Sequence, residues 1–326
     1  MSTTLPEGTI VGSFVNCRQQ KIHTLHIPSE QKDGPVNLKL FVLHGLKEHS
    51  GRPIYTRLYE EFRSKGNVDI YSLDHHGHGQ SEGTRFYCDK FDDYIDDVVD
   101  FINIVQKQST QTSKLMLFGH SLGGLISALA SLRLPQDQLA GLIMTSPATG
   151  VKLSCTERFQ LLFSPILNTL CPKAKLVKPI SYEYLTRNED ELDIIRKDPF
   201  CPPDNVPIRF GVEFVRASAL LENTLRSEIK CPLIVLHGTL DKVTDQPLSL
   251  EFFKSVKSPS QEKLYIKADG FYHEIFNEPE REPIVEIIAN FVCSGGDWSK
   301  LQLDRYDTSQ LSQGRVLTLK LVEELV

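Results

Sequence analysis

The sequence contains no apolar run near the roughly 18 residues that a membrane-spanning helix requires. Its opening, MSTTLPEGTI, has neither a positive leader nor an apolar stretch, so no secretory signal is expected. It has no excess of basic charge. Lys+Arg 36 against Asp+Glu 42 leaves a net charge of −6, which speaks against a nucleic-acid partner. Its 7 cysteines are odd in number and include no C-x-x-C pair, which points to reduced thiols in a cytoplasmic protein. Internal repeats and low-complexity tracts are absent. The 24% charged fraction is average and excludes a disordered or fibrous chain. What is present is 326 residues with 40% hydrophobic content, enough for one large α/β domain or two ordinary ones.

Short apolar runs alternate with longer amphipathic ones. Leu38–Leu43, Val68–Leu73, Leu115–Phe118, Leu142–Thr145, Leu233–Leu236 and Leu264–Ile266 read as strands. Most are continuously apolar, as parallel strands covered on both faces must be. Leu58–Lys65, Phe91–Gln106, Leu122–Arg133 and Pro283–Val292 read as helices between them. This alternation specifies a mostly parallel, doubly wound α/β sheet. The first 27 residues suggest an antiparallel edge pair turning near Arg18-Gln19-Gln20.

The alternation stops after Met144 and resumes at Pro232–Leu236. Residues 151–225 show no clear strand and read as an inserted helical cap. Residues 1–150 and 226–297 then form one discontinuous core. Residues 298–326 form a C-terminal extension, polar until an amphipathic patch at Val316–Val326, with no role legible in it.

Gly119-His120-Ser121-Leu122-Gly123 is a G-x-S-x-G between a strand and a helix. That context is what a nucleophile elbow requires. The turn is tight, its neighbours must be small, and the hydroxyl of Ser121 is held up at a helix N-terminus. A serine hydroxyl is a weak nucleophile and needs a base, which in turn needs an orienting carboxylate. In such folds the chain order is serine, acid, histidine. Asp241 lies in the loop after Leu233–Leu236, where the acid belongs; Asp245 is the fallback. His273 follows the next strand and is the only histidine after Asp241. The oxyanion donors are expected at the N–H of Leu122, directly after the nucleophile, and of Leu46, in the loop after Leu38–Leu43. No metal or organic cofactor is needed.

Three other clusters have plainer readings. Asp74-His75-His76-Gly77-His78 has poor spacing for a metal site and reads as a hydrogen-bonded turn beside the active site. Asp89, Asp92, Asp93, Asp96, Asp97 and Asp100 read as the solvated face of one helix, its acids favoured by the helix dipole. In the cap, Phe159, Leu161, Leu162, Phe163, Ile166, Leu167 and Leu170 form an apolar patch around Pro165. Lys152, Arg158, Lys173, Lys175 and Lys178 surround it against a single acid, Glu157. That patch either packs on the core or forms a lid that lines an acyl tunnel and rests on a membrane surface.

Taken together, the chain resembles the monoacylglycerol lipases, a branch of the α/β-hydrolases, over about residues 8–293. The resemblance is carried by HGLKEHSGR at His44–Arg52, DHHGHGQSEG at Asp74–Gly83, GHSLGG at Gly119–Gly124, LTRNEDELDIIRKDP at Leu185–Pro199, HGTLDKVTD at His237–Asp245 and GFYHEIFNE at Gly270–Glu278. It implies the same triad, Ser121, Asp241 and His273, with oxyanion donors Leu46 and Leu122. The departures are Lys47, where the family usually has glycine, and Pro53-Ile54, which intervene between Arg52 and Tyr55. The implied activity is hydrolysis of a monoacylglycerol to fatty acid and glycerol by a protein peripherally associated with membranes. A lysophospholipase or a broad carboxylesterase is the alternative within the class. A catalytically silent binding module is the alternative outside it, and the complete triad argues against that one.

Overall fold

The computed structural model describes residues 4–31, 38–109, 113–151, 166–178, 180–301, 303, 307–311 and 314–319. Ten strands form one sheet in the order β1-β2-β4-β3-β5-β6-β9-β10-β12-β11. These are β1 (Ile10–Val15), β2 (Lys21–Ile27), β3 (Leu38–Leu43), β4 (Val68–Leu73), β5 (Lys114–His120), β6 (Leu139–Thr145), β9 (Leu233–Gly238), β10 (Lys263–Ala268), β11 (Asp307–Leu311) and β12 (Gly314–Leu319). From β4 through β12 the pairings are parallel. β2 joins β4 antiparallel, β1 joins β2 antiparallel, and β11 closes the other edge antiparallel to β12. The strands expected from sequence all form, several extended by one to three residues. The edge pair turns at Gln19, whose φ is 60°.

Helices cover both faces. α1 (Pro53–Lys65) and α7 (Glu282–Cys293) pack on one side, where Leu58, Tyr59 and Phe62 meet Ile284, Ile288 and Phe291. α2 (Asp92–Gln108), α3 (Leu122–Ser131) and α6 (Gln246–Ser255) pack on the other, with Ile95, Val98, Leu125 and Phe252. α1 begins five residues before the start expected from sequence. Pro53 fits its first turn, where no N–H is needed, and Ile54 and Tyr55 are buried. The α2 acids are not all solvated. Asp92 and Asp96 pair with Arg133 at the surface, but Asp97 is buried against Arg18, Asn16 and His76.

The segment between β6 and β9 is not strand-free, in contrast to the sequence reading. β7 (Lys175–Val177) and β8 (Val206–Pro207) pair antiparallel. Strands of two or three residues are too short to show alternation. The described helices of this segment include residues 166–170, α4 (Glu189–Lys197) and α5 (Ile208–Leu220), which continues as a π-helical turn over Leu221–Leu225. Of the apolar patch read there, Phe159, Leu161, Leu162 and Phe163 lie outside the described residues, as do Lys152, Glu157, Arg158 and Pro165. Ile166, Leu167 and Leu170 are exposed.

The C-terminal extension has a structural place. β12 adds to the sheet beside β10, and Leu319 O accepts the N–H of Asp269 at 2.8 Å. Trp298 stacks edge-on against Phe291 with ring centres 5.0 Å apart.

The strand order puts three chain reversals side by side. Leu43 pairs with both Leu73 and Gly119. The loops after β3, β4 and β5 therefore leave the same end of the sheet together, where the winding direction changes and ligands bind in such sheets.

Candidate active site

Ser121 stands between β5 and α3 with φ 53° and ψ −114°, a conformation that a side chain rarely adopts and that is retained only where its surroundings enforce it. Two close approaches explain the enforcement. A Cβ on Gly119 would lie 2.3 Å from Gly123 O, and a Cβ on Gly123 would lie 2.1 Å from Leu43 O. Both positions must be glycine for the turn to fit against β3. The Ser121 N–H is bonded to Thr145 O at 3.0 Å, which ties the turn to β6.

His273, in the loop after β10, presents Nδ1 to Asp241 Oδ2 at 2.8 Å. Asp241 Oδ1 accepts the N–H groups of Val243 (2.7 Å) and Thr244 (3.0 Å), so its own turn holds that one oxygen. Burial opposes ionisation of Asp241, but His273 and His237 hold its carboxyl well below the usual range. Burial also lowers the His273 imidazole, yet the adjoining Asp241 charge outweighs it and the net direction is up. Ser146, after β6, donates its hydroxyl to His273 O at 2.7 Å and anchors the loop. Asp245 caps α6 instead, accepting the Leu248 N–H at 3.0 Å.

Ser121 and His273 line one small cavity of about 30 Å³. Leu46, Lys47 and Arg52 wall it from the sheet side; Tyr182, Leu185, Ile195 and Cys201 of the inserted segment wall it from above. Larger hollows, of about 510 and 720 Å³, lie beside Phe14 and Phe101 and beside Leu5 and Arg57. They contain neither Ser121 nor His273, so the chemistry points to the small cavity. Among the described residues, the N–H groups of Leu46 and Leu122 make no hydrogen bond within the protein and remain available. A Cβ on Gly45 would come 3.2 Å from the Ser121 Cβ, which measures how closely that loop approaches Ser121.

Beneath the loop lies a buried charge network that sequence reasoning missed. Arg52 reaches Glu48 at 2.7 Å and Glu274 at 2.9 Å. Glu48 also accepts the Gly45 N–H at 2.9 Å and the Tyr55 hydroxyl. Burial works against the Glu48 charge, but Arg52, His120, Tyr55 and Gly45 together hold its carboxyl down to about 2. Glu48 thus fixes the loop that carries Leu46. Tyr55 reaches it because Pro53-Ile54 start α1. EHSGR at Glu48–Arg52 was the available signal, but a buried ion pair has no period that would reveal it. Lys47 has φ 61°, a conformation that glycine adopts more easily. Its Nζ bonds Pro202 O at 3.0 Å and also Asp204 O, which links the loop to the inserted segment.

Two side-chain groups have metal-like proximity: Glu48, His120 and Glu274, and His49, Asp198 and Cys201. The Arg52 guanidinium already fills the space between the two glutamates of the first. In the second, His49 Nδ1 accepts the Gly51 N–H at 3.2 Å. Its Nε2 therefore carries the hydrogen, donates to Asp198 at 2.8 Å, and has no lone pair for an ion. The Asp74–His78 stretch is a hydrogen-bonded turn, as read, although His75 Nδ1, His76 Nε2 and His78 Nε2 are buried without a protein partner. Asp74 accepts Ser50 N–H and Gln80 N–H, and the His75 N–H donates to His44 Nε2 at 3.0 Å. Burial lowers the imidazoles of His44, His75 and His78, which therefore stay neutral.

The sequence profile of the serine aminopeptidase S33 family (Hydrolase_4) matches residues 34–280. The chain is 31% identical to human monoglyceride lipase over 270 residues, 82% of each chain. It is 30% identical to the Bacillus subtilis phospholipase YtpA, over 79% of this chain and 96% of that one. Among solved structures, the monoacylglycerol lipase of Paleococcus ferrophilus superposes with a TM-score of 0.72 at 26% identity, covering 84% of this chain and 99% of that one.

Proposed function

From the premise that the chain belongs to the serine aminopeptidase S33 family and is an ester hydrolase of its monoacylglycerol lipase-like, α/β-hydrolase branch, we propose that it cleaves monoacylglycerols to fatty acid and glycerol through an acyl-enzyme on Ser121. The observation that carries the mechanism is the 2.8 Å bond from His273 to Asp241 beside a serine at a strained elbow in the same cavity. With Nδ1 committed to Asp241, His273 has Nε2 free to take the Ser121 proton as Oγ attacks the ester carbonyl. The oxyanion forms against the N–H groups of Leu46 and Leu122. His273 returns the proton to the departing glycerol oxygen, and water then repeats the cycle on the acyl-enzyme. Asp241 holds the tautomer and stabilises the imidazolium.

The inserted segment acts as a cap. Among the described residues the cavity beside Ser121 and His273 measures about 30 Å³, room for about one water, and we infer that an acyl chain enters by movement of the cap. Ile166, Leu167, Leu170, Leu176 and Val177 are exposed apolar residues on that cap, with the exposed Lys173, Lys175 and Lys178 among them. This combination suits peripheral contact with an anionic membrane surface. No helix among the described residues is long and apolar enough to cross a membrane. Lysophospholipid is the second substrate reading, favoured by the phospholipase relative.

The test is a turnover comparison of monoacylglycerols, lysophospholipids and short esters, together with fluorophosphonate labelling. Monoacylglycerol should give the highest kcat/KM and the label should fall on Ser121. Labelling elsewhere, or turnover confined to lysophospholipids, rejects the corresponding part.

A further inference from the structure

Asp241 faces two imidazoles. Its Oδ2 lies 2.8 Å from His273 Nδ1 and 3.1 Å from His237 Nε2. A carboxylate is only an acceptor, so both nitrogens must carry hydrogen. His237 Nδ1 faces Ser249 Oγ at 2.7 Å. Ser249 Oγ lies 2.8 Å from Tyr265 OH, and Gln246 Nε2 donates to Tyr265 OH at 2.9 Å. Ser249 Oγ also lies 2.9 Å and Tyr265 OH 3.3 Å from Gln246 O, which is a second acceptor for either hydroxyl. The assignment that leaves His237 neutral runs as a single chain of donors. Gln246 donates to Tyr265, Tyr265 to Ser249, Ser249 to His237 Nδ1, and His237 Nε2–H to Asp241. The Thr244 hydroxyl, also near Oδ2, has Ser146 O as an alternative acceptor at 3.1 Å.

The chain is built on three rigid elements: His237 at the end of β9, Gln246 and Ser249 on α6, and Tyr265 on β10. His237, Ser249 and Tyr265 are fully buried. Among the described residues, the titratable groups bonded along it are Asp241 and His273 at one end and Tyr265 at the other. Burial pushes the Tyr265 hydroxyl up to about 12, so it remains a donor.

We propose that His237 is a positioning residue for the hydrolysis, a neutral imidazole locked by Ser249, Tyr265 and Gln246 that holds the Asp241 carboxylate in place for His273. The proposal rests on the triad reading above. His237 does not face the substrate and acts through Asp241. Its N–H fixes Oδ2 in the plane that His273 Nδ1 needs, and it draws off part of the carboxylate charge. Without it, Asp241 attracts the His273 proton more strongly and its orientation is less constrained.

The test compares His237→Leu, His237→Gln, Ser249→Ala and Tyr265→Phe by steady-state kinetics on a short water-soluble ester across pH. A hydrogen bond to a charged group is worth enough for His237→Leu to lose about 10- to 100-fold in kcat, with KM within about twofold. The acid limb of its kcat/KM profile should move up by about half a pH unit, because the stronger carboxylate attraction favours protonated His273. His237→Gln, which keeps an N–H near the Nε2 position, should recover most of the loss. Ser249→Ala and Tyr265→Phe should show the same limb shift with a smaller loss, and they carry the test if His237→Leu does not fold. Wild-type kcat and an unmoved acid limb in folded Ser249→Ala and His237→Leu would overturn the proposal. So would an imidazole ¹⁵N spectrum showing His237 protonated on both nitrogens. Asp241→Asn separates the two readings. If it stays active the triad reading falls; if it is inactive while the His237 variants match wild type, only the positioning role falls.

Discussion

The sheet-side wall of the cavity beside Ser121 and the wall from the inserted segment, read as a cap, are held by different forces. The sheet-side residues sit at the ends of fully buried strands, over two apolar layers. The cap is attached largely by polar contacts: His49 with Asp198 at 2.8 Å, Lys47 with Pro202 O, Arg57 with Glu191 at 2.9 Å, Arg216 with Asp92 at 3.2 Å, and Arg187 with Glu278 and Glu280. Among the described residues, Val206, Phe210, Ala217 and Leu221 give the segment its apolar anchors in the deeper layer. Apolar burial is nearly indifferent to salt. Part-exposed ion pairs are screened and are worth about 0–1 kcal/mol each. The proposed movement of the cap would therefore break mainly polar contacts, while the sheet-side wall stays on its apolar layers.

The largest test of this contrast is Ser121→Ala, on the sheet-side wall. Activity should fall by about four to six orders of magnitude with unchanged thermal stability. A folded variant that still hydrolyses ester would break the mechanism and the comparison with it. Next, Asp241→Asn should cost about 10⁴ in turnover by inverting the His273 tautomer. Asp245→Asn should leave turnover nearly intact and change stability by at most about 1 kcal/mol, through the α6 cap. Kinetics and denaturant melts on both variants distinguish these outcomes, and the reverse ranking rejects the assignment. Third, His273 must be neutral to act as base and its imidazole is shifted up. The rate should therefore fall as pH drops through a value above the ordinary one near 6.5, while Asp241 remains ionised. A pH–rate profile whose acid limb lies well below that value contradicts it.

The smaller effects belong to the cap. Asp198→Asn weakens the contact with His49. It should change turnover of long-chain ester by about two- to fivefold, narrow the difference between low and high salt, and leave the melting temperature almost unmoved. A large loss of stability would mean that the cap is as firmly anchored as the sheet. Finally, Leu167→Ser with Leu170→Ser should weaken flotation with anionic vesicles by about tenfold or less and spare a water-soluble ester. Equal loss on both substrates would return these residues to a packing role.

The sheet-side wall was also the legible one. Continuous apolar runs gave the parallel strands. The two glycines around Ser121 gave the elbow. Chain order then gave Asp241 and His273 as candidates. The polar interior was not legible: Glu48, Arg52 and Glu274 meet from distant segments, and Asp97 interrupts an otherwise solvated helix face. His237 entered only as the first residue of the HGTLDKVTD stretch, because its partner Ser249 lies on α6, a helix with too weak an apolar stripe to be recognised. β7, β8 and the β11–β12 pair escaped because they are short or polar. Their pairing depends on neighbours that local sequence does not name.

The edge strands β1 and β11 come from opposite ends of the chain, and this gives the protein a timetable. A nascent chain emerges from the ribosome N-terminus first. The Asp269 N–H, just before the loop that carries His273, has to wait for Leu319 before it finds its acceptor. The outer side of β10 stays open for the same interval. During synthesis the turn around Ser121 can therefore be completed well before the segment that secures the loop carrying His273.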